Sequence, residues 1–502
     1  MKYTLGVDFG GSAAKGTLLC ETGNLAAIAA TEYPMVFPKE GWTEQDPEQL
    51  YKAFCVVTKE ILRTSGINPN DIEAIAISSA SMTGVYLDEE DNVVRRSILW
   101  NDIRGAGYAN EFKKTKLDFI WNTTTNPPAP SRTLNHIIWI KNNEPENYQK
   151  IRKIMFAKDY VRYKLTGDFV TDYIDAMGSH FLDVHSNCWS EELCSLAGIN
   201  SAMLPKILKP TDIIGSITEK AAKESGLLRK TKVITGTTDT CMEVYANGAI
   251  KIGDMTIKLA TAGRICSITD HPIPHMGIVN YQHVVSGLWY PGTTMRFCAA
   301  SYRWYRDVLG EKEIDEGKRN GKDPYALLDE AAEKIPPGSE NLFFHPYLQG
   351  DLINIAWRAS FIGLRAIHTK GHFTRALLEG VSYGMRETFE IIRGLGLKID
   401  KPTLIGGGAK GPIWRQIMAD MFGIEMLIKE NSDSSLGSAM LAGVATGIFS
   451  SFEDSVSKCV RVTASVKPNP DVTKIYDKGF LVYKEIIKAL DPIYAAMAKA
   501  QN

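Results

Sequence analysis

A turn of small residues between two apolar stretches opens this chain, and a similar unit recurs near its middle. Tyr3 to Val7 reads as a buried strand, Asp8-Phe9-Gly10-Gly11-Ser12 as a tight turn, and Lys15 to Cys20 as the returning strand. Glycines at the tip permit positive φ and leave room for a group close to the backbone. Met255 to Leu259, the turn Ala260-Thr261-Ala262-Gly263 and Arg264 to Ile268 repeat the pattern. Two hairpins with glycine and hydroxyl tips suggest two related halves. The candidate boundary lies near residues 245–254, giving domains 1–247 and 248–502. A length of 502 residues accommodates two large domains.

The rest of the pattern is α/β. Asp46 can cap a helix that starts at Pro47, and Leu50, Phe54, Val57 and Ile61 fall on one helical face before Gly66 stops it. Ile72 to Ser79 is a continuously apolar strand of the kind covered on both sheet faces. Lys232 to Thr235 is a strand leading into Gly236-Thr237-Thr238-Asp239. Further on, Thr403-Leu404-Ile405 is a strand, Gly406-Gly407-Gly408 a turn and Pro412 to Phe422 a helix. A long helix from Phe373 to Arg393 carries Ala376, Gly380 and Gly384 four apart, a stripe read as close packing against another helix. Strands alternating with amphipathic helices define an α/β fold.

Composition narrows the function. With 57 basic and 58 acidic side chains the formal net charge is -1, and no Lys/Arg block provides a nucleic-acid footprint. The eight cysteines form no C-x-x-C pair, so neither a disulfide framework nor a zinc site is expected. Asp8 stands where a signal peptide needs an apolar run, and the apolar stretch Gly437 to Phe449 is too short to span a bilayer. The expectation is a cytoplasmic protein without a membrane partner that acts on a small molecule.

Backbone N–H groups in small-residue turns bind anionic oxygens, and Ser12, Thr261 and Lys15 could add donors and charge. Asp8 would repel a phosphate unless a cation lay between them. Mg²⁺ meets that need, since it uses one or two carboxylates plus phosphate oxygens. Each turn alone is equally an ordinary hairpin. A Walker motif is absent, but Gly406-x-Gly408-x-x-Gly411 fits the dinucleotide fingerprint and keeps a dehydrogenase reading open. That reading leaves Asp8 and both hairpins without roles, whereas a Gly-rich turn also lets an adenosine lie against the backbone. Asp239, after a strand and three small residues, is placed to take a proton from a substrate hydroxyl as that oxygen attacks phosphorus. A turn Asp that caps a helix beginning near Cys241 is the structural alternative.

These residues carry a resemblance to the FGGY carbohydrate kinases, and among them to the xylulose kinases, over nearly the whole chain. Gly6 to Lys15 resembles the first phosphate motif, with Gly11 where Thr is usual. Gly41 to Pro47 resembles the segment before the first long helix, and Trp100-Asn101-Asp102-Ile103-Arg104 the sugar-side W-x-D-x-R motif. Lys158-Asp159-Tyr160, Leu165-Thr166-Gly167 and Thr171-Asp172 continue the match. Lys258 to Gly263 resembles the second phosphate motif, Gly406 to Lys410 with Trp414 the adenosine loop, and Gly437-Ser438-Ala439 a neighbouring Gly-Ala-Ala segment.

The resemblance implies two actin-like (ribonuclease H-like) ATPase domains, each a mixed sheet flanked by helices, with ATP and Mg²⁺ in a cleft between them. It implies Asp8 at the metal and Asp239 as catalytic base. Gly11, Ser12, Lys15, Thr261, Gly407, Gly408 and Ala409 would border the nucleotide, and Ser81, Met82, Thr83, Asp102, Arg104 and Asp239 the sugar. Residues 8 and 239 are expected on opposite walls of one crevice. The sugar-contacting parts depart from the xylulose-kinase pattern. Gly-Gln-Met-His-Gly is replaced by Ala80-Ser81-Met82-Thr83-Gly84, and the Ser-Gly-Glu-Arg segment by Gln349-Gly350-Asp351-Leu352. The implied activity is phosphorylation of a terminal hydroxyl of a ketopentose. Another open-chain sugar, polyol or aldonate, and an actin-like ATPase switch without a sugar, are the alternatives. The oligomeric state is left open, a homodimer being one option.

Overall fold

The structure, a computed structural model, describes residues 1–350, 354, 356–397, 399–430 and 433–500. Asp351 and Leu352 of the departing segment lie outside the described residues. The chain forms two compact units, one of Met1–Ile250, Thr269–Pro291 and Asn431–Arg461, the other of Lys251–Ile268, Gly292–Glu430 and Val462–Asn502. The first break falls after Ile250, and a single break at 247/248 does not describe the division: two later segments rejoin the first unit.

The first unit is built on strands β1 (Tyr3–Phe9), β2 (Ala13–Cys20), β3 (Leu25–Glu32), β4 (Ile72–Ser79), β5 (Ile213–Ser216), β6 (Lys232–Ile234) and β7 (Thr237–Thr238). They form one sheet in the order β5-β6-β4-β1-β2-β3, with β7 also paired to β4. β2 lies between β1 and β3 and is antiparallel to both, β4 lies parallel to β1, β6 parallel to β4, and β5 closes the edge antiparallel to β6. Helix α1 (Pro47–Ser65) starts as its sequence dictates: Asp46 accepts from the Glu48 N–H, Pro47 occupies the first turn, and Gly66 ends it at φ 63°. Leu50, Phe54, Val57 and Ile61 are each at most 1% exposed and pack with Leu5, Val7 and Ile75 of the sheet. Each such side chain contributes about 1.5–3 kcal/mol.

The helix Ser434–Ala445 lies directly against β1. A Cβ on Gly6 would sit 2.0 Å from the Ser435 carbonyl oxygen and 2.3 Å from the Ala439 nitrogen, so only glycine allows this approach. Thr4 Oγ1 donates to the Ala439 carbonyl at 2.8 Å, and the Thr17 and Ser435 hydroxyls are 2.6 Å apart. This packing explains why residues so late in the chain belong to the first unit. Helices α2 (Ala157–Thr166), α3 (Tyr173–Ser179) and α4 (Asp239–Ala246) complete the parts of this unit that bear on function.

The second unit has strands β8 (Met255–Leu259), β9 (Gly263–Ser267), β10 (Gly292–Met295), β11 (Thr403–Ile405), β12 (Met426–Lys429) and β13 (Val462–Val466), in the order β10-β9-β8-β11-β12-β13. The sequence of pairings repeats that of the first sheet: two antiparallel, two parallel, one antiparallel. The two related halves expected from the hairpins are therefore present as two sheets of one topology. Helix α5 (Lys370–Gly394) carries the small-residue stripe, but the backbone that approaches it is extended. A Cβ on Gly380 would meet the Phe344 carbonyl oxygen at 2.0 Å, and Phe344 lies in the strand Phe343–His345. Helix α6 (Pro412–Phe422) spans its expected residues and ends at Gly423. None of the eight cysteines is in a disulfide, and no described helix is long and apolar enough to cross a membrane.

Candidate active site

The carboxylates singled out from the sequence meet at one edge of the first sheet. Asp8, next to last in β1, is paired in register with Lys15 of β2 and Ser78 of β4. Thr237 and Thr238 of β7 pair with Ser78 and Ser79 on the other side of β4. Asp8 and Asp239 thus stand two strands apart at the C-terminal edge of a single sheet, where ligands of α/β folds gather. They lie on one edge within one unit. Tyr33 reports both of them: burial raises its phenol pKa, and the negative charges of Asp8 and Asp239 raise it further. Its hydroxyl donates to the carbonyls of Gly10 and Ala13, pinning the first hairpin tip. Gln45 holds the tip from the other side by donating to the Gly11 carbonyl at 3.1 Å. Gly11 is half-buried and Ser12 exposed.

The immediate surroundings of each group are specific. Ser78 donates to Asp8 Oδ1 at 2.6 Å and accepts from Ser438 at 3.0 Å. Lys15 forms an ion pair with Asp433, the residue whose carboxylate caps the Ser434–Ala445 helix. Burial lowers the Lys15 pKa, and the charge of Asp8 partly offsets this. Asp239 is the first residue of α4, and the capping role falls to Thr238. Asp239 Oδ1 accepts from the Thr240 N–H at 2.6 Å and from the Thr240 hydroxyl at 3.2 Å.

Ser81-Met82-Thr83 follows β4 at the same edge. Met82 has φ 68°, a left-handed conformation uncommon for a side chain of its size. Its carbonyl accepts from Thr133 at 3.2 Å, and the Thr83 carbonyl accepts from the Ala157 N–H at 3.1 Å. Ser81 donates to Asp175 Oδ1 at 3.1 Å. Behind Asp175, the buried Lys158 ammonium lies 2.8 Å from Asp172 and 3.4 Å from Asp175 and also pairs with Asp159. Burial alone would lower the Lys158 pKa, but the three carboxylates outweigh it and raise it. Burial outweighs the opposing pull of Lys158 and raises Asp175 to about 7. Asp172 caps α3 and accepts from Thr237 at 2.8 Å, tying this cluster to the strand that leads into Asp239.

Asp102 and Arg104 form a separate buried pair. Two guanidinium nitrogens of Arg104 reach the two Asp102 oxygens at 2.9 and 2.8 Å, a third reaches Glu44 at 2.9 Å, and the Thr43 N–H donates to Asp102 at 2.7 Å. The guanidinium carbon lies 4.0 Å from the Trp42 ring centroid and 4.8 Å from that of Trp139. Neither side chain of the pair has exposed surface.

The second unit carries a cavity of about 690 Å³ at its glycine turn, lined among others by Ala260, Thr261, Gly407, Gly408, Tyr325 and Asp329. Gly406 has φ 91°, and a Cβ there would meet the Leu259 carbonyl oxygen at 2.6 Å. A Cβ on Gly408 would meet Trp414 at 2.7 Å, whereas one on Gly407 would meet nothing within 4 Å. Ala409 is buried and its carbonyl accepts from Arg415, so it underlies the turn instead of lining it. Thr261 sits at the tip of the second hairpin and accepts from Arg303 at 2.9 Å. Asp329 accepts from Tyr302 at 2.7 Å, and burial raises its pKa to about 6.

Tyr33, Asp175, Asp329, Arg303 and Asp433, which surround these groups, are not singled out by the sequence. Asp433 could have been read as a cap, since Asp433-Ser434-Ser435 opens a helix before Gly437. Asp175 follows the cap Asp172 by three residues, a spacing with many other uses.

The sequence matches the model of the FGGY family of carbohydrate kinases, N-terminal domain, over residues 3–245 and that of its C-terminal domain over residues 264–446. It is 30% identical to the xylulose kinase of Bacillus subtilis (strain 168) over 492 residues, 97% of each chain. It is 31% identical to the gluconokinase of the same organism over 507 residues, all of this chain and 98% of that one. The solved ligand-bound xylulose kinase from Lactobacillus acidophilus superposes with a TM-score of 0.91 at 27% identity, over 99% of this chain and all of the other. The chain belongs to the FGGY family of carbohydrate kinases. It is an ATP-dependent kinase of a small carbohydrate, which removes the dehydrogenase reading of Gly406-x-Gly408-x-x-Gly411 and the sugar-free ATPase switch.

Proposed function

We propose that this kinase phosphorylates a terminal hydroxyl of a ketopentose, xylulose-like, with Asp239 as the base. The observation that carries the reading is the convergence of Asp8, Asp239 and the Ser81-Met82-Thr83 turn on one sheet edge. Asp239 accepts the hydroxyl proton as the substrate oxygen bonds to the γ-phosphorus. The bond from that phosphorus to the bridging oxygen breaks, and its electron pair leaves with ADP. The hydroxyls of Ser81 and Thr83 and the Met82 side chain orient the sugar, and Asp102 with Arg104 stiffens the neighbouring wall. Gly407 and Gly408 admit the adenosine over the buried Ala409. Gly11, Ser12, Lys15 and Thr261 supply donors to the phosphates.

Among the described residues no group of three or more His, Cys, Asp or Glu could hold a metal unaided. Mg²⁺ needs no such cage when it binds chiefly through phosphate oxygens and water, and the single carboxylate of Asp8 fits that donor set. Bound there, Mg²⁺ would offset the charge of the transferred group.

An aldonate is the second reading, favoured by the 31% identity to a relative named gluconokinase. A coupled ADP-release assay with D-xylulose, other pentuloses, polyols and D-gluconate tests both. Stimulation by a ketopentose above all others supports the first reading, and stimulation by gluconate alone replaces it with the second.

A further inference from the structure

Tyr281 reaches the sugar-side turn from a segment, Thr269–Pro291, that leaves the second unit's sheet between β9 and β10 and packs in the first unit. The segment is clasped there by reciprocal bonds. The Asn280 N–H donates to Asn126 Oδ1 at 2.7 Å, and Asn126 Nδ2 donates to the Asn280 carbonyl at 2.9 Å. The Tyr281 ring is 3% exposed and stacks on Tyr290 with centroids 5.6 Å apart. The Tyr290 hydroxyl is in turn 3.2 Å from Thr238 Oγ1, one residue before Asp239.

The hydroxyl of Tyr281 lies 3.3 Å from Ser81 Oγ and accepts from Arg132 Nη1 at 3.4 Å. A serine hydroxyl has one proton, and Ser81 spends its proton on the Asp175 carboxylate. Tyr281 therefore donates to Ser81, and the chain of bonds runs in one direction, from Arg132 through Tyr281 and Ser81 to Asp175. Gly178 of α3 leaves the space for it, since a Cβ there would lie 2.1 Å from Ser81 Oγ. The residue immediately after Ser81 is Met82, held at φ 68°, where an L-residue persists only if its surroundings over-determine it.

We propose that Tyr281, through Ser81 and Asp175, is a positioning residue that locks the Ser81-Met82-Thr83 turn in its left-handed form and so sets the affinity for the acceptor sugar. This rests on the reading of that turn as the acceptor site. Asp175 anchors the chain at the buried lysine and Tyr281 closes it, so residues from three distant stretches of sequence fix one turn.

The test compares wild type with Tyr281→Phe, which keeps the ring and removes one oxygen. The best acceptor's KM rises roughly tenfold, the loss of about one hydrogen bond. The kcat stays within about threefold, and the KM for ATP does not move. Asp175→Asn, which retains an acceptor oxygen, raises the acceptor KM less than Asp175→Ala. An unchanged acceptor KM in Tyr281→Phe overturns the proposal. So does an equal rise in the KM for ATP, which marks general loosening. Turnover of no acceptor by the wild type overturns the reading of the site and the proposal with it. Turnover by wild type with an indifferent Tyr281→Phe overturns the proposal alone.

Discussion

The two sheets share one order of pairings but end in different chemistry. At the edge of the first, β1 and β4 terminate in Asp8, Ser78 and the Ser81 turn, and β7 delivers Asp239. At the corresponding edge of the second, Lys258 is paired with Arg264 and Ile405, and β11 runs into three glycines that open a cavity of about 690 Å³. The shared framework places strand ends. The residues at those ends decide whether the edge presents carboxylates and hydroxyls or an open glycine turn. One edge keeps carboxylates near a common point, where Tyr33 senses both. The other gives up side chains and leaves the backbone of its glycine turn open to the cavity.

The sharpest way to break this contrast is to remove the carboxylate proposed as the base. Asp239→Ala is expected to lower kcat by roughly 10²–10⁴-fold while ATP binding, measured by calorimetry, is preserved. Near-normal turnover would take Asp239 out of its role.

Acid should separate the units next. Burial holds the imidazoles of His136 and His283 down to about 3 and that of His180 well below its ordinary value, all in the first unit. In the second unit burial holds His345 to about 4. Each depressed imidazole contributes stability that is present above its unfolded pKa of about 6.5 and is lost as pH falls from there toward the folded value. One pH unit below 6.5 the loss is about 1.4 kcal/mol per group. Hydrogen exchange on acidification should show the first unit losing protection before the second. Simultaneous loss would mean that the buried imidazoles do not distinguish them.

Two glycine substitutions sharpen the contrast further. Gly6→Ala overpacks β1 against the Ser434–Ala445 helix and should cost about 1–3 kcal/mol in thermal unfolding, because the clashing atoms are backbone. Gly407→Ala adds a methyl group facing open space, so unfolding should not change. Its KM for ATP should rise roughly tenfold with the acceptor KM constant, since a well-filled ligand face tolerates little added volume. An unaltered KM for ATP would place the adenosine elsewhere.

Local signals in the sequence were reliable where the physics was local. Asp46, Pro47 and Gly66 delimit α1 as read, and Ile72–Ser79 and Pro412–Phe422 match their elements residue for residue. Thr237 and Thr238 read as turn residues because their strand pairing depends on β4, far away in the chain. The return of Thr269–Pro291 and Asn431–Arg461 to the first unit has no local signature, and the Asp433 partner of Lys15 and the Tyr281 partner of Ser81 arrive with those segments. The site was thus half legible. Residues at strand ends could be named, while those that hold them are set by long-range packing.

Incubating the wild-type protein with ATP radiolabelled in its γ-phosphate and its best acceptor asks most directly whether these two edges serve phosphoryl transfer. Label recovered on the acceptor in step with ADP is the expected result. Label found only in inorganic phosphate, whatever sugar is supplied, would contradict it.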